Sequence, residues 1–147
     1  MKRIVTENSA EGRSRVLIEQ QLPASAMVWE ASMASPYGHE PVEREHTLVF
    51  PAGHTVCRYV EIPPDAVMAE HLARGIPGHD ANGFHRTGTL DFLVLLQGRL
   101  ILELDEGMAE LRPGDVVVQR DTNHAWRNPG SESALCLVVI QRAEHSR

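Results

Sequence analysis

Two cysteines are all that this chain of 147 residues contains, and Cys57 and Cys136 stand in separate apolar runs, not in a CxxC pair or a closely spaced framework. Both read as buried thiols. Long hydrophobic runs are missing too, since no stretch approaches the roughly 18 apolar residues that a membrane span needs. The opening MKRIVTENSAEGRS has a basic start but no apolar core behind it, so it does not make a signal peptide. The cytoplasm is the expected location. Positive charge is also short, with 14 Lys and Arg against 20 Asp and Glu, a net charge of −6 and a pI near 5.7. With no basic run to attract a phosphate backbone, nucleic acid is excluded as the main partner and a small molecule is expected instead. Internal repeats and low-complexity tracts are absent.

What is present suits one folded domain over 1–147. Hydrophobic residues make up 42% and charged residues 23%, both within the globular range. The length suffices for one core without staples. Texture changes along the chain: residues 1–83 carry broken apolar segments, whereas 84–141 read as nearly continuous strands and turns. LDFLVLLQ (90–97), LILELD (100–105), DVVVQ (115–119) and ALCLVVIQ (134–141) are aliphatic or β-branched runs of strand length. Gly98-Arg99, Asp105-Glu106-Gly107, Pro113-Gly114 and Pro129-Gly130 separate them, and such regular turn chemistry points to an all-β sandwich or barrel.

In the first half, RIVTE (3–7), RVLIEQ (15–20), MVWEA (27–31), HTLVF (46–50) and TVCRYVEI (55–62) are shorter strands expected to extend the same sheets. One helix is predicted over 65–75, DAVMAEHLARG, with Pro63 and Pro64 ahead of it and Gly75 as its cap. The following GIPGHDANG (75–83) reads as a mobile loop.

The chemistry concentrates in two segments. HRTGTLDFLVLLQG (85–98) resembles the first motif of the cupins, in which two histidines one residue apart precede an acidic residue and then a glycine. His85, Asp91 and Gly98 fall on those positions, while Thr87 stands where the second histidine belongs. GDVVVQRDTNHAWRN (114–128) resembles the second cupin motif through Gly114, His124 and Asn128; its strand is one residue short, and Gln119 and Asp121 replace the usual Pro and Gly. The resemblance covers about 84–141. It implies an all-β fold, the cupin double-stranded β-helix, a jelly-roll-like antiparallel barrel here with an N-terminal strand extension. It also implies one divalent metal ion held by His85, Asp91 and His124, and pairing into a homodimer.

Geometry makes demands on that ligand set. Six residues of extended strand cover about 20 Å, so the chain must fold back between His85 and Asp91, and Gly88 between two threonines supplies the bend. His124, Trp126 and Asn128 alternate, so a strand there aims all three to one face. Imidazole with carboxylate suits Zn, Fe, Mn or Ni. Thr87, Trp126 and Gln119 are the candidate substrate contacts. His79, in the GIPGHD loop, is a candidate extra ligand; His39, His46, His54, His71 and His145 read as structural or exposed. The leading expectation is a metal-dependent enzyme that oxygenates, decarboxylates or isomerises a small organic metabolite. The alternative is a non-catalytic barrel that binds or senses such a molecule.

Both faces of 90–97 are apolar, Leu90, Phe92, Val94 and Leu96 on one and Leu93 and Leu95 beside Asp91 on the other. One face is expected to line the barrel and the other to meet a second sheet or a second copy of the chain.

Overall fold

The computed structural model describes residues 2–21 and 52–142. Nine strands and one helix follow in the order β1 (Lys2–Asn8), β2 (Ser14–Gln21), β3 (Thr55–Ile62), α1 (Asp65–Ala73), β4 (Leu90–Gln97), β5 (Leu100–Leu104), β6 (Met108–Leu111), β7 (Val116–Arg120), β8 (His124–Arg127) and β9 (Ala134–Gln141). β3, β4 and β9 have the predicted bounds, because each is an unbroken apolar run closed by turn residues. The strands predicted at 27–31 and 46–50 lie outside the described residues.

Six strands form one sheet in the order β2-β1-β7-β4-β9-β3, and three form a second in the order β6-β5-β8. The sheets close on each other around one core. Ile4, Leu93, Leu95, Val117, Cys136 and Val138 project from the larger sheet, and Leu100, Leu102, Leu104, Ala109 and Leu111 from the smaller. Each contributing strand shows the alternation that a half-buried sheet requires, as in β5, where Leu100, Leu102 and Leu104 are buried and Ile101 and Glu103 are not. Truncating Leu102, which is wholly buried, would cost about 2–5 kcal/mol by the usual cavity cost.

The all-β jelly-roll expectation holds, with one exception to its antiparallel character. β1 pairs with β7 in parallel, Arg3–Val5 against Val116–Val118, while every other pairing of the described strands is antiparallel. More than a hundred residues separate β1 from β7, so no tight turn dictates their direction, and the β1–β2 hairpin adds to the open edge of β7.

The helix is where the prolines placed it, two residues shorter than predicted, and none of its residues is fully buried. The 75–83 segment is not an open loop: Asp80 organises it. The Asp80 Oδ1 accepts from Asn82 N and Phe84 N, both at 2.8 Å, and Asp80 N donates to Phe84 O at 2.8 Å. An aspartate side chain bonding the backbone two residues on stabilises this kind of turn.

Candidate functional site

The Asp80 turn carries His79 on one side and His85 on the other, and β8 lies beside them. His79 and His85 form one antiparallel bridge, and His85 and His124 form another. His85 N donates to His124 O at 2.9 Å, and His124 N returns a bond to His85 O at 3.1 Å. Three imidazoles therefore stand side by side across three chain segments. Their ring centroids are 4.2 Å apart from His79 to His85 and again 4.2 Å from His85 to His124. Trp126 continues the line, its ring edge-on to His124 at 5.6 Å.

Each imidazole is tied in the same way. The Nδ1 atoms of His79, His85 and His124 reach the carbonyls of Pro77 (3.3 Å), Gly83 (3.3 Å) and Thr122 (2.9 Å), two residues upstream in every case. A carbonyl accepts only, so Nδ1 carries the proton and Nε2 keeps its lone pair. Burial pushes the His85 imidazole down to about 4, helped by the neighbouring His79, and burial followed by the field of His85 pushes His124 down to about 3. Both are neutral at physiological pH.

A small cavity of about 30 Å³ opens on this row, lined by His79, His85, Gly83, Trp126, Arg127 and Met68 of α1. Gly83 has φ +84°, and a Cβ there would come within 3.2 Å of the Leu72 side chain, so glycine lets the helix settle over the turn. The helix is fixed at its start. Asp65 N donates to Asn128 O at 2.9 Å and Asn128 N to Asp65 Oδ1 at 2.7 Å.

The acidic residue of the first motif belongs to a second cluster. Asp91 points into the barrel on the face that carries Leu93 and Leu95, directly across from Gln119 on β7. Burial pushes its carboxyl up to about 6, with hydrogen bonding from Thr89 and then Thr87 pulling the other way and the field of Asp121 adding to the rise. The electrostatic neighbours of His85 and His124 are one another, His79 and Asp80. The Asp91 Oδ1 is buried with no hydrogen-bond partner, and so is Gln119 Oε1. Gln119 cannot turn its amide round to help, because Nε2 already donates to Thr122 O (3.2 Å) and Thr122 Oγ1.

The predicted bend is present, with Gly88 at φ +68° and its N–H on Asp121 Oδ1 at 3.0 Å. Asp121 also takes Arg86 through Nε at 2.8 Å and Nη2 at 2.6 Å, clamping the turns of the two motifs together. It has φ +50° where the family pattern has glycine, a conformation that aspartate tolerates better than most residues.

Of the candidate residues, His85, His124 and Trp126 come together and His79 joins them. Thr87 and Gln119 do not line the cavity; Thr87 bonds Thr89, hydroxyl to hydroxyl. Asn128 does not join His124 and Trp126, because β8 ends at Arg127 and the Asn128 amide instead bonds Ile62 O and Glu132 O, each at 2.9 Å. Met68 and Arg127 were not anticipated. Met68 lies on a helix without a buried face, and Arg127 follows Trp126 directly, so alternation would send it to the other side.

A family model described as a cupin domain matches residues 71–140. The chain carries a cupin domain. The matched span holds both motifs, the histidine row and the last three residues of α1. This cupin is 55% identical over 89 residues to "Oryzines biosynthesis cluster protein J" of Aspergillus oryzae, a match covering 58% of this chain and 50% of that protein. It is 31% identical over 75 residues to "Cupin-domain-containing oxidoreductase virC" of Hypocrea virens, covering 50% of this chain and 31% of that one. The chain thus spans half or less of the length of these curated relatives. Among solved structures, a Cupin 2 conserved barrel domain protein from Salinispora arenicola aligns with 73% of this chain and 90% of its own at 18% identity and a TM-score of 0.37. Among the described residues no helix is long and apolar enough to cross a membrane.

Proposed function

We propose that this cupin is a metal-dependent enzyme acting on a small organic metabolite, with His85 and His124 as the central ligands and His79, not Asp91, as the third. The observation that supports it is the histidine row itself: three imidazoles in register, each with Nδ1 held by a carbonyl and Nε2 left to bind, and His85 and His124 held neutral by burial. That second bond is the usual way a ligating histidine is oriented. The donor chemistry suits Zn, Fe, Mn or Ni.

The arrangement in hand is a row of tilted rings, and among the described residues no three His, Cys, Asp or Glu side chains already stand as a metal-holding group. Imidazoles on one ion place their nitrogens about 2.0–2.1 Å from it, so the rings must swing their Nε2 atoms toward a common point. When bound, the ion would supply Lewis acidity to a coordinated oxygen of the substrate. The chain supplies the rest. Trp126 walls one side of the cavity, Met68 covers it from α1, and burial keeps His85 and His124 neutral. The name of the Hypocrea virens relative makes oxidation the first reaction class to try, ahead of decarboxylation and isomerisation.

Cobalt titration of the purified protein, followed by its visible absorption, tests the reading. Saturation at one ion per chain supports it, and loss of that signal in His85→Ala and His124→Ala assigns the ligands. Failure of the wild type to take up cobalt, zinc or iron would sink it. One observation favours the alternative, a non-catalytic binding or sensing barrel: Asp91 is engaged by its threonines, and the carboxylate beside the row, Asp80, spends its Oδ1 on the backbone of its own turn. We also propose a homodimer through the outward face of β4, where Leu90, Phe92 and Val94 keep partial exposure and Leu96 is exposed. A monomer mass by light scattering at micromolar concentration would count against it.

A further inference from the structure

Outside the histidine cavity runs a groove of about 500 Å³, floored by the inner side of α1 and closed by the 81–82 turn. Its apolar lining is Met68, Ala69, Leu72, Ala73 and Ala81, and its polar lining is Asp65, Asn82 and Arg127. This volume lies in the range of small-molecule sites. Met68 and Arg127 line both the groove and the histidine cavity, so these two side chains form the partition between them.

Arg127 is held by one edge only. Its Nε donates to Glu103 Oε2, and its guanidinium carbon sits 5.8 Å from the centre of the Phe84 ring. Nη1 and Nη2 have no acceptor among the described residues. A guanidinium offers its donors in a planar fork, and the end formed by Nη1 and Nη2 matches the two oxygens of a carboxylate. Glu103 occupies the Nε side and so fixes the plane of the fork without using that end. Asp65, the one anion of the groove lining, is already engaged through Oδ1 by Asn128 N.

We propose that this groove binds a small organic acid, with the Nη1–Nη2 edge of Arg127 as the anchor of its carboxylate and the apolar side of α1 against its body. The proposal rests on reading the histidine row as the reacting end of the site. Met68 would then be the gate: an unbranched side chain that changes shape easily, placed where a molecule anchored on Arg127 must pass to reach His79 and His85. The substrate class follows as carboxylic acids of a size to span a partition one side chain thick.

The probes are benzoate and its uncharged analogue benzamide, titrated into ¹⁵N-labelled protein and followed by NMR. Benzoate is expected to shift the Arg127 Nε–Hε signal and the amides of Leu72, Ala81 and Asn82, with benzamide leaving them in place. Arg127→Met should weaken benzoate binding by roughly tenfold or more, as the loss of a charge-assisted pair implies. Because Arg127→Met also strips Glu103 of its partner, Ala69→Phe serves as a second variant: it fills the groove from an exposed helix position and should abolish binding with Arg127 intact. Equal binding of benzamide, undiminished binding in both variants, or no benzoate shift at these residues would overturn the proposal. Cobalt uptake by the wild type reports on the histidine row separately, so a protein that binds benzoate here but no cobalt retains the anion site and loses only the metal reading.

Discussion

Two polar clusters share the inside of this barrel, and they are built on opposite terms. In the histidine row every Nδ1 has a carbonyl, every Nε2 is unspent, and a cavity opens on the rings. In the Asp91–Gln119 cluster two acceptor oxygens are buried with no donor, and no cavity among those described reaches them. The first is organised to receive something; the second carries an unmet demand for a proton donor inside the fold. A buried acceptor without a partner costs more than the average hydrogen bond returns, so the second cluster holds latent instability while the first holds latent binding.

The sharpest way to break this contrast is metal affinity. His124→Ala should weaken metal binding by about 100-fold or more, whereas Asp91→Asn should change it by less than about fivefold. Competitive chelator titration reads both. If Asp91→Asn loses metal as severely as His124→Ala, the two clusters are one site and the contrast fails.

The clusters should also oppose each other in pH dependence. His85 and His124 have folded values depressed below their unfolded 6.5, so the unfolded chain takes up protons that the folded one refuses, and stability falls as pH drops from about 6.5 toward 4. Asp91 has a folded value raised above its unfolded 3.8, so its contribution is present below that value and is lost as pH rises through about 6. Two histidines outweigh one aspartate, and urea denaturation should show a net loss of about 2 kcal/mol between pH 7 and pH 5. A curve that is flat or reversed across that window would mean that the imidazoles are not held neutral.

Asp91→Asn sharpens the same comparison from the other side. The new amide nitrogen can donate to Gln119 Oε1 and removes a carboxylate that burial disfavours, so stability at pH 7.5 should rise by about 1 kcal/mol. Thermal unfolding with and without the substitution decides it; destabilisation would show that the Asp91 charge is compensated by a partner. Last and smallest, Thr87→His should leave metal affinity within about twofold of wild type. Position 87 looks like a ligand position in the motif, yet its hydroxyl faces Thr89 and the carboxylate cluster. A clear gain in the chelator titration would place position 87 on the histidine side after all.

Much of the architecture was legible. β3, β4 and β9 are uninterrupted runs whose bounds are set by turn residues, and the helix start was marked by two prolines. β6 was missed because Met108–Leu111 is only four residues long with one exposed methionine, too short for alternation to stand out. His85 and His124 were readable from motif spacing, and Trp126 from its alternation with His124. His79 was weighed only as an extra, since a histidine in a Gly- and Pro-rich loop has no period to indicate its direction.

By itself the sequence determined which residues are buried in strands and where the chain turns. Those properties are local: they follow from side-chain alternation, from Gly and Pro backbone preferences, and from spacing along one or two adjoining segments. Only the tertiary structure decided the company that each polar group keeps. Asp91 went to Gln119 because β4 pairs with β7 in that register, and His85 went to His124 because their backbones exchange hydrogen bonds. Arg127 reached the groove because α1 packs over the end of β8. Register and packing join residues that are distant in the chain, and no pattern within a single segment carries that information.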